Sequence, residues 1–397
     1  EALAAARRVG YPVMVRPSYV LGGRAMEIVY DDAHLRGYMS RARAGAERPA
    51  VLIDRFLADA AEIDVDAVSD GRDVFIAGIM EHIEEAGIHS GDSACTLPTH
   101  SLTPAALETV SRYTRRLALK IRVRGLVNIQ YAVKDGAVYI LEANPRASRT
   151  VPFVSKATGL AVAQLATAVI MGRKLSALLP KAFLDAPPAL PYTATKEVVL
   201  PFIKFPGLDP RLGPEMKSTG EVMGLDADFP RSFAKSQEAS GMSLPKTGAV
   251  FLSVKDEDKA AIIPVARELL RLGFTIIATR RTREFLARHG LEAALAAKIG
   301  EGKPDVADLI RQKAVSLVVN TPSGKRERAD GFVIRRTALE LDVPFITNIR
   351  SCQAALGAIS AAKAASGSSG MEVRPIQDYY RDLGPEVRAA GRRLAAA

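Results

Sequence analysis

Two residue classes are scarce in this chain, and one pattern is missing. Only Cys95 and Cys352 occur among 397 residues, without metal or redox spacing. A disulfide framework is thereby excluded, a reducing cytoplasm fits, and each thiol reads as a small core residue. Aromatics make up 6% of the chain, and no basic stretch is interleaved with stacking rings, which argues against nucleic acid as a partner. No run approaches 18 apolar residues, so no transmembrane helix and no membrane partner are expected. His82 and His89 have no Cys or third His at zinc-ligand spacing. Glu1 to Gly10 reads as the end of a helix stopped by glycine, with the wrong charge order for a signal peptide. The chain is therefore expected to begin in mid-domain, as a fragment.

What is present suits an anionic ligand. The net charge is +10, hydrophobic content is 48%, and the length allows two or three domains with their own cores. One stretch organises the rest. Val127, Ile129, Tyr131 and Val133 alternate with Asn128, Gln130 and Ala132, the period of a half-buried strand. Asp135-Gly136 signals a turn, and a three-residue loop Lys134-Asp135-Gly136 would place Gly136 in the left-handed position. With that odd loop, Asn128, Gln130, Glu142 and Asn144 share one face; a two-residue loop would set Gln130 and Glu142 on opposite faces. One carboxylate among amide oxygens suits Mg²⁺, which completes its shell with water and phosphate. Arg146 and Arg149 follow, with the forked geometry that grips phosphate. The bland alternative is an edge hairpin with a solvated polar face.

Around this hairpin the chain divides. Strands are expected at Val13–Arg16 and Ala25–Tyr30, flanking a loop with Gly22-Gly23 that could fold over phosphates. A helix at Asp31–Ala44, a buried strand at Ala50–Asp54 and a strand pair over 62–79 should follow. Glu62, Asp64 and Asp66 share a face, and Asp66 reads as part of a solvated acidic surface. Thr103–Leu119 is an amphipathic helix with Pro104 in its first turn. Helix Leu160–Met171, an irregular proline-rich connection, a strand at Lys196–Leu200 and a long loop over 205–220 come next. Ser236–Lys246 reads as the linker. After it, strands at 249–254, 274–278, 315–320 and 343–346 alternate with helices, which predicts a doubly wound parallel sheet. Its ligands belong at the carboxyl ends of the strands. Thr279 to Thr282 and Asn320 to Arg328 sit there, and with Lys298, Arg335 and Arg336 they favour an anion site.

Ile140-Leu-Glu-Ala-Asn-Pro-Arg146, together with Arg16 to Arg24 and Met80 to Asp92, resembles the large chain of carbamoyl phosphate synthetase. The match runs from its second ATP-grasp half to its carboxyl end and covers nearly the whole chain. The resemblance implies an α/β and α+β fold: a partial ATP-grasp domain over 1–240 and a doubly wound, Rossmann-like, methylglyoxal-synthase-like regulatory domain over 241–397. It implies ATP-dependent phosphorylation of carbamate, with ATP, Mg²⁺ or Mn²⁺, and K⁺ as cofactors. Arg16 would contact phosphate, Arg55 to Leu57 the adenine, and Glu62 the ribose side. Gly87, Ile88, His89 and Ser90 would lie at the nucleotide and help hold K⁺. Gln130, Glu142 and Asn144 would carry the metal, with Arg146 and Arg149 at the transferred phosphoryl group. Glu84, Asp92, Glu197 and Thr347 match an ornithine activator site. Thr279, Thr282, Lys298 and Asn320 would bind a nucleotide monophosphate effector.

Three departures stand out: Arg55 where many relatives have His, Arg281 where they have Gly, and Phe345 where they can have Tyr. The implied partner is a glutaminase small subunit, in an oligomer of heterodimers when intact, and the implied location is the cytoplasm. The fragment alone is expected to be inactive. Two alternatives stay open: another ATP-grasp ligase, or a non-catalytic effector-binding fragment.

Overall fold

The computed structural model describes residues 1–18, 24–44, 50–321, 325–365 and 371–395. Gly22-Gly23 and Pro322–Gly324, singled out above, lie outside them. Three sheets make the frame. The first joins β1 (Val13–Pro17), β2 (Glu27–Val29) and β3 (Val51–Arg55) in the antiparallel order β2-β1-β3. The expected buried strand is β3, but it lies on an edge with Leu52 47% exposed, so its apolar run is only half covered.

The second sheet holds β4 (Ala61–Ser69), β5 (Val74–His82), β6 (Cys95–Leu97), β7 (Gly125–Lys134), β8 (Ala137–Asn144), β9 (Thr193–Val199) and β10 (Gly220–Asp226). The order is β10-β9-β6-β5-β4-β7-β8, with every pair antiparallel. Alternation decides its faces. Ile63, Val65 and Ala67 of β4 and Val127, Ile129 and Tyr131 of β7 pack with Val110 and Ala118 of helix Pro104–Lys120. That helix starts on a Thr103 cap with Pro104 at its first position, as the sequence requires. Glu62, Asp64, Asp66, Asn128 and Gln130 are thereby turned to the opposite face.

The hairpin reaches its expected outcome by a different route. Lys134 pairs with Ala137, so the loop is the two residues Asp135-Gly136, both at positive φ (51° and 77°). That loop alone would separate Gln130 from Glu142. The register then shifts between Gln130 and Tyr131, so that Tyr131 faces Ile140 but Gln130 faces Glu142. One extra residue in β8, a β-bulge, restores the parity. Asn128 faces Asn144 two steps on.

The third sheet is parallel: β11 (Ala249–Val254), β12 (Thr275–Thr279), β13 (Ala294–Ala296), β14 (Leu317–Thr321) and β15 (Phe345–Ile346), in the order β13-β12-β11-β14-β15. The linker is shorter than Ser236–Lys246, because helix Phe229–Ala239 runs through its first part and buries Ser236 and Gln237. Two terminal helices, Ile376–Asp382 and Pro385–Ala395, do not stay with this sheet. Tyr379, Leu383, Val387, Ala390 and Leu394 pack into the core beside β5 and the helices Val151–Thr158 and Val162–Ile170. Burying each leucine there is worth about 1.5–3 kcal/mol. Among the described residues no single helix is long and apolar enough to cross a membrane; the apolar pair Val151–Thr158 and Val162–Ile170 is bent by 113° and belongs to this core.

Candidate functional site

The polar face of β4 and β7 is a connected set rather than a solvated surface. Asp66 is 1% exposed, which corrects its reading as a surface acid. It accepts hydrogen bonds from Thr150 Oγ1 (2.6 Å), Ser148 Oγ (2.7 Å) and Asn128 Nδ2 (3.0 Å). Asp64 accepts from the same amide at 3.2 Å and lies 3.1 Å from His82 Nε2. Glu62 Oε2 is 3.5 Å from His82 Nδ1. Burial alone would lower the imidazole, but the two acids outweigh it and raise His82 to about 9. Glu62 Oε1 also accepts the Gly87 amide at 3.0 Å, which ties the following loop to the sheet.

That loop holds Gly87 to Ser90. Gly87 has φ +94°, and a Cβ there would stand 2.8 Å from the Phe56 ring, so close packing under the first sheet requires glycine. Ile88 is half-buried. His89 Nδ1 accepts the Gly91 amide at 3.0 Å, and the His89 amide donates to Gly213 O at 2.8 Å. Ser90 Oγ accepts from Gln130 Nε2 at 2.8 Å, which joins the loop to the hairpin. Leu57 packs on Ala60, Ala86 and Ala132 just behind.

The hairpin end offers oxygen ligands. Gln130 opposes Glu142 across the strands, and Asn144 Nδ2 donates to Glu142 Oε1 at 2.8 Å. Glu142 Oε2, Gln130 Oε1 and Asn144 Oδ1 are the donors left for a cation, one carboxylate with two amides. Among the described residues no three His, Cys, Asp or Glu converge on a metal position. The donor set thus fits a hard ion that keeps water and phosphate ligands. Arg146 is exposed, with Nη1 on Ala147 O at 3.0 Å. Arg149 is held by Glu221 (3.1 Å) and Ser218 Oγ (3.0 Å). Arg16 pairs with Asp54 at 3.0 Å, and Arg55 donates to Val9 O at 3.3 Å, away from the loop.

The acids matched to an activator fall in two places. Glu84 accepts the Ala94 amide at 2.7 Å and Ser351 Oγ at 3.4 Å. Glu197 accepts the Val198 amide at 2.9 Å and the Gln237 amide nitrogen. Burial first, then the charge of Glu84, pushes Glu197 up to about 8. Thr347 is half-buried just ahead of the helix Ile349–Ala365 that carries Ser351. Asp92 has both oxygens occupied by the Lys217 and Ser218 amides, at 2.7 and 2.8 Å.

At the carboxyl ends of the parallel strands, Thr279, Thr282, Lys298 and Asn320 line one cavity of about 100 Å³. Arg281 lines it too and adds positive charge. Arg335 and Arg336 are not available there. Arg335 is fully buried, grips both oxygens of Asp209 (3.0 and 2.8 Å) and donates to Asn320 Oδ1 at 2.9 Å. Arg336 donates to the carbonyls of Phe202 and Phe205. Both arginines therefore fasten the loop after β9.

Sequence reading gave no role to Asp64, Asp66, Lys196, Ser148, Thr150 or Asp209. The buried Lys196 lies beneath Ser90, with Nζ 3.5 Å from its carbonyl. The available signal was the acid alternation in Glu62–Asp66 beside an equally polar alternation in β7.

A hairpin of oxygen ligands beside a loop pinned to the sheet suits a phosphate-handling protein, and the cavity of the third, parallel sheet carries Lys255, Arg281 and Lys298 together with Asp256 and Asp330. The family description for the ATP-binding domain of the carbamoyl-phosphate synthase L chain matches residues 1–178, and that for the MGS-like domain matches 261–347. A carbamoyl phosphate synthase large chain from Methanosarcina barkeri is 50% identical, covering 97% of this chain and 95% of that one. The one from Archaeoglobus fulgidus is 54% identical over 96% of this chain and 35% of that one. The large chain's C-terminal section from Aquifex aeolicus is 48% identical, covering 96% and 73%. The chain belongs to the carbamoyl phosphate synthase large chain family. It spans about a third of the length of the Archaeoglobus relative, 35%. Among solved structures, the biotin carboxylase domain of Hydrogenobacter thermophilus 2-oxoglutarate carboxylase covers 60% of this chain and 58% of its own at 16% identity. The TM-score of that match is 0.47.

Proposed function

We propose that this chain forms the carbamate-phosphorylating site of a glutamine-dependent carbamoyl phosphate synthetase, served by a glutaminase small subunit. A carbamate oxygen attacks the γ-phosphorus of ATP, the bond to the bridging oxygen breaks, and carbamoyl phosphate and ADP form. The observation that supports this best is the bulge that sets Gln130 against Glu142 with Asn144 on the same face. Mg²⁺ or Mn²⁺ held there would neutralise charge on the ATP phosphates. Arg146 and Arg149 stabilise the charge on the transferred group, a reaction in which positioning and electrostatics do most of the catalysis. Arg16 reaches phosphate by leaving Asp54. Arg55 to Leu57, Glu62 and Gly87 to Ser90 frame the nucleoside, and the same loop takes K⁺. No side-chain nucleophile is needed.

Control belongs to the third, parallel sheet, where Thr279, Thr282, Lys298 and Asn320 take the phosphate of a nucleoside monophosphate. Glu84, Glu197 and Thr347 receive the amines of ornithine. Asp92 is committed to backbone amides, and Phe345 lacks a hydroxyl, so ornithine activates weakly; one lost neutral hydrogen bond costs about 1 kcal/mol. The working enzyme is an oligomer of heterodimers in the cytoplasm.

The test is the reverse half-reaction in the full-length synthetase: ATP formed from carbamoyl phosphate and MgADP. ATP formation that disappears in Glu142→Ala is expected. A wild-type enzyme that makes no ATP, or a Glu142→Ala enzyme that makes it normally, would overturn the reading.

A further inference from the structure

Between Asn144, where β8 ends, and Val151, where the next helix starts, the chain carries Arg146 and Arg149, the two arginines assigned above to the transferred phosphoryl group. Within it, Arg146 N donates to Asn144 O at 2.8 Å, and Pro145 has no N–H to offer. Its fixed geometry comes from outside. Ser148 and Thr150, on either side of Arg149, both donate to Asp66, and their hydroxyls lie 2.8 Å from each other. Asp66 in turn is set by Asn128 of β7, the strand that carries Gln130. One carboxylate therefore ties the arginine segment to the sheet that holds the metal-ligand hairpin.

We infer that Asp66 is the positioning residue for phosphoryl transfer, fixing the Arg146–Arg149 segment relative to Gln130 and Glu142. This rests on the reading under Proposed function. Three donors converge on the group, so an acceptor-only carboxylate is required and an amide is not equivalent. Asp64 is the neighbouring acid, and among the described residues no cation bonds Asp66 directly; its partners are hydroxyls and an amide. A buried acid with no ionic partner is costly to keep, and a site whose arginines are long and flexible is where such a cost is repaid in geometry.

The test uses the full-length synthetase and the ATP-forming half-reaction. Asp66→Asn should lower kcat about 100-fold, as expected for a displacement of about 1 Å, with KM for ADP changed less than about threefold. Ser148→Ala removes one of the same bonds from the loop side and should lower kcat about fivefold to tenfold. Asp66→Asn/Ser148→Ala should be no slower than Asp66→Asn alone, since both break one clamp. A kcat for Asp66→Asn within about twofold of wild type, or losses that multiply in the double variant, overturns the inference. If Asp66→Asn does not fold, Ser148→Ala decides: an unchanged kcat overturns it and the stated loss supports it. Glu142→Ala, run alongside, separates the two readings, because its loss persists if only the Asp66 inference fails.

Discussion

The two proposed anion sites of this molecule are built on opposite plans. In the parallel sheet, short side chains at strand ends, Thr279, Thr282 and Asn320, surround a ready-made cavity. On the antiparallel sheet, long arginines arrive from different elements, and two of the three lie in ion pairs with Asp54 and Glu221. A threonine at a strand end is fixed by its own backbone and gives little reach. An arginine gives reach and must be fixed by others. This is why the antiparallel sheet hides supporting groups behind its site, and why Arg335, fully buried near the pocket of the parallel sheet, lies under that pocket rather than in it.

The comparison breaks most visibly at Asp209. In Asp209→Ala the Arg335 guanidinium stays buried with Asn320 as its remaining side-chain acceptor among the described residues, and stability measured by urea unfolding should fall by about 3–5 kcal/mol. Arg335→Met should cost less, because Asp209 is 36% exposed and water can solvate it. The reverse order would mean that the aspartate, not the arginine, is the group that needs its partner.

Next in size is Arg149→Ala, which should lower kcat of the ATP-forming half-reaction by about 10²–10³, the usual loss for a charge-stabilising donor. A loss confined to KM would make Arg149 a binding residue only.

A smaller effect comes from Glu197, raised by burial and by Glu84 to about 8. The folded chain holds this proton after the unfolded chain has released it. Stability is therefore lost as pH rises from the ordinary carboxyl range to about 8, and the loss levels off above that. Glu197→Gln should flatten this decline, adding on the order of 1–3 kcal/mol near pH 8 and nothing near pH 4, since each tenfold difference in proton affinity between the folded and unfolded chain is worth about 1.4 kcal/mol. Thermal melts at both pH values decide; an equal gain at both would assign it to packing.

The smallest is Lys298→Ala, which should weaken a nucleoside monophosphate about tenfold, near 1.4 kcal/mol, by calorimetry on the whole chain. An unchanged affinity would leave the short side chains as the entire binding site.

What the sequence revealed follows the range of the interactions. The alternation in 127–133 and 62–68 identified both strands and their faces, because period two is a local property. The bulge opposite Gln130 was not legible: register depends on how two strands settle against the rest of the sheet. Asp66 was misread for a related reason. A polar strand face looks the same in sequence whether water or Ser148 and Thr150 cover it. Arg335 and Arg336 were assigned to the nearest anion loop, yet Arg335 meets a residue 126 positions away. Helices Phe229–Ala239, Ile376–Asp382 and Pro385–Ala395 escaped notice, the last two because their apolar positions serve a core more than 150 residues upstream.

Those last helices also impose an order on events. Leu383, Val387 and Leu394 complete a core begun by Val68 and Phe75. During synthesis that core stays unfinished until the whole parallel sheet has left the ribosome, since chains emerge from the amino end. Its half-built face, apolar and uncovered, is then what a chaperone would meet, and the parallel sheet folds as an insertion within a domain still waiting for its final turn of helix.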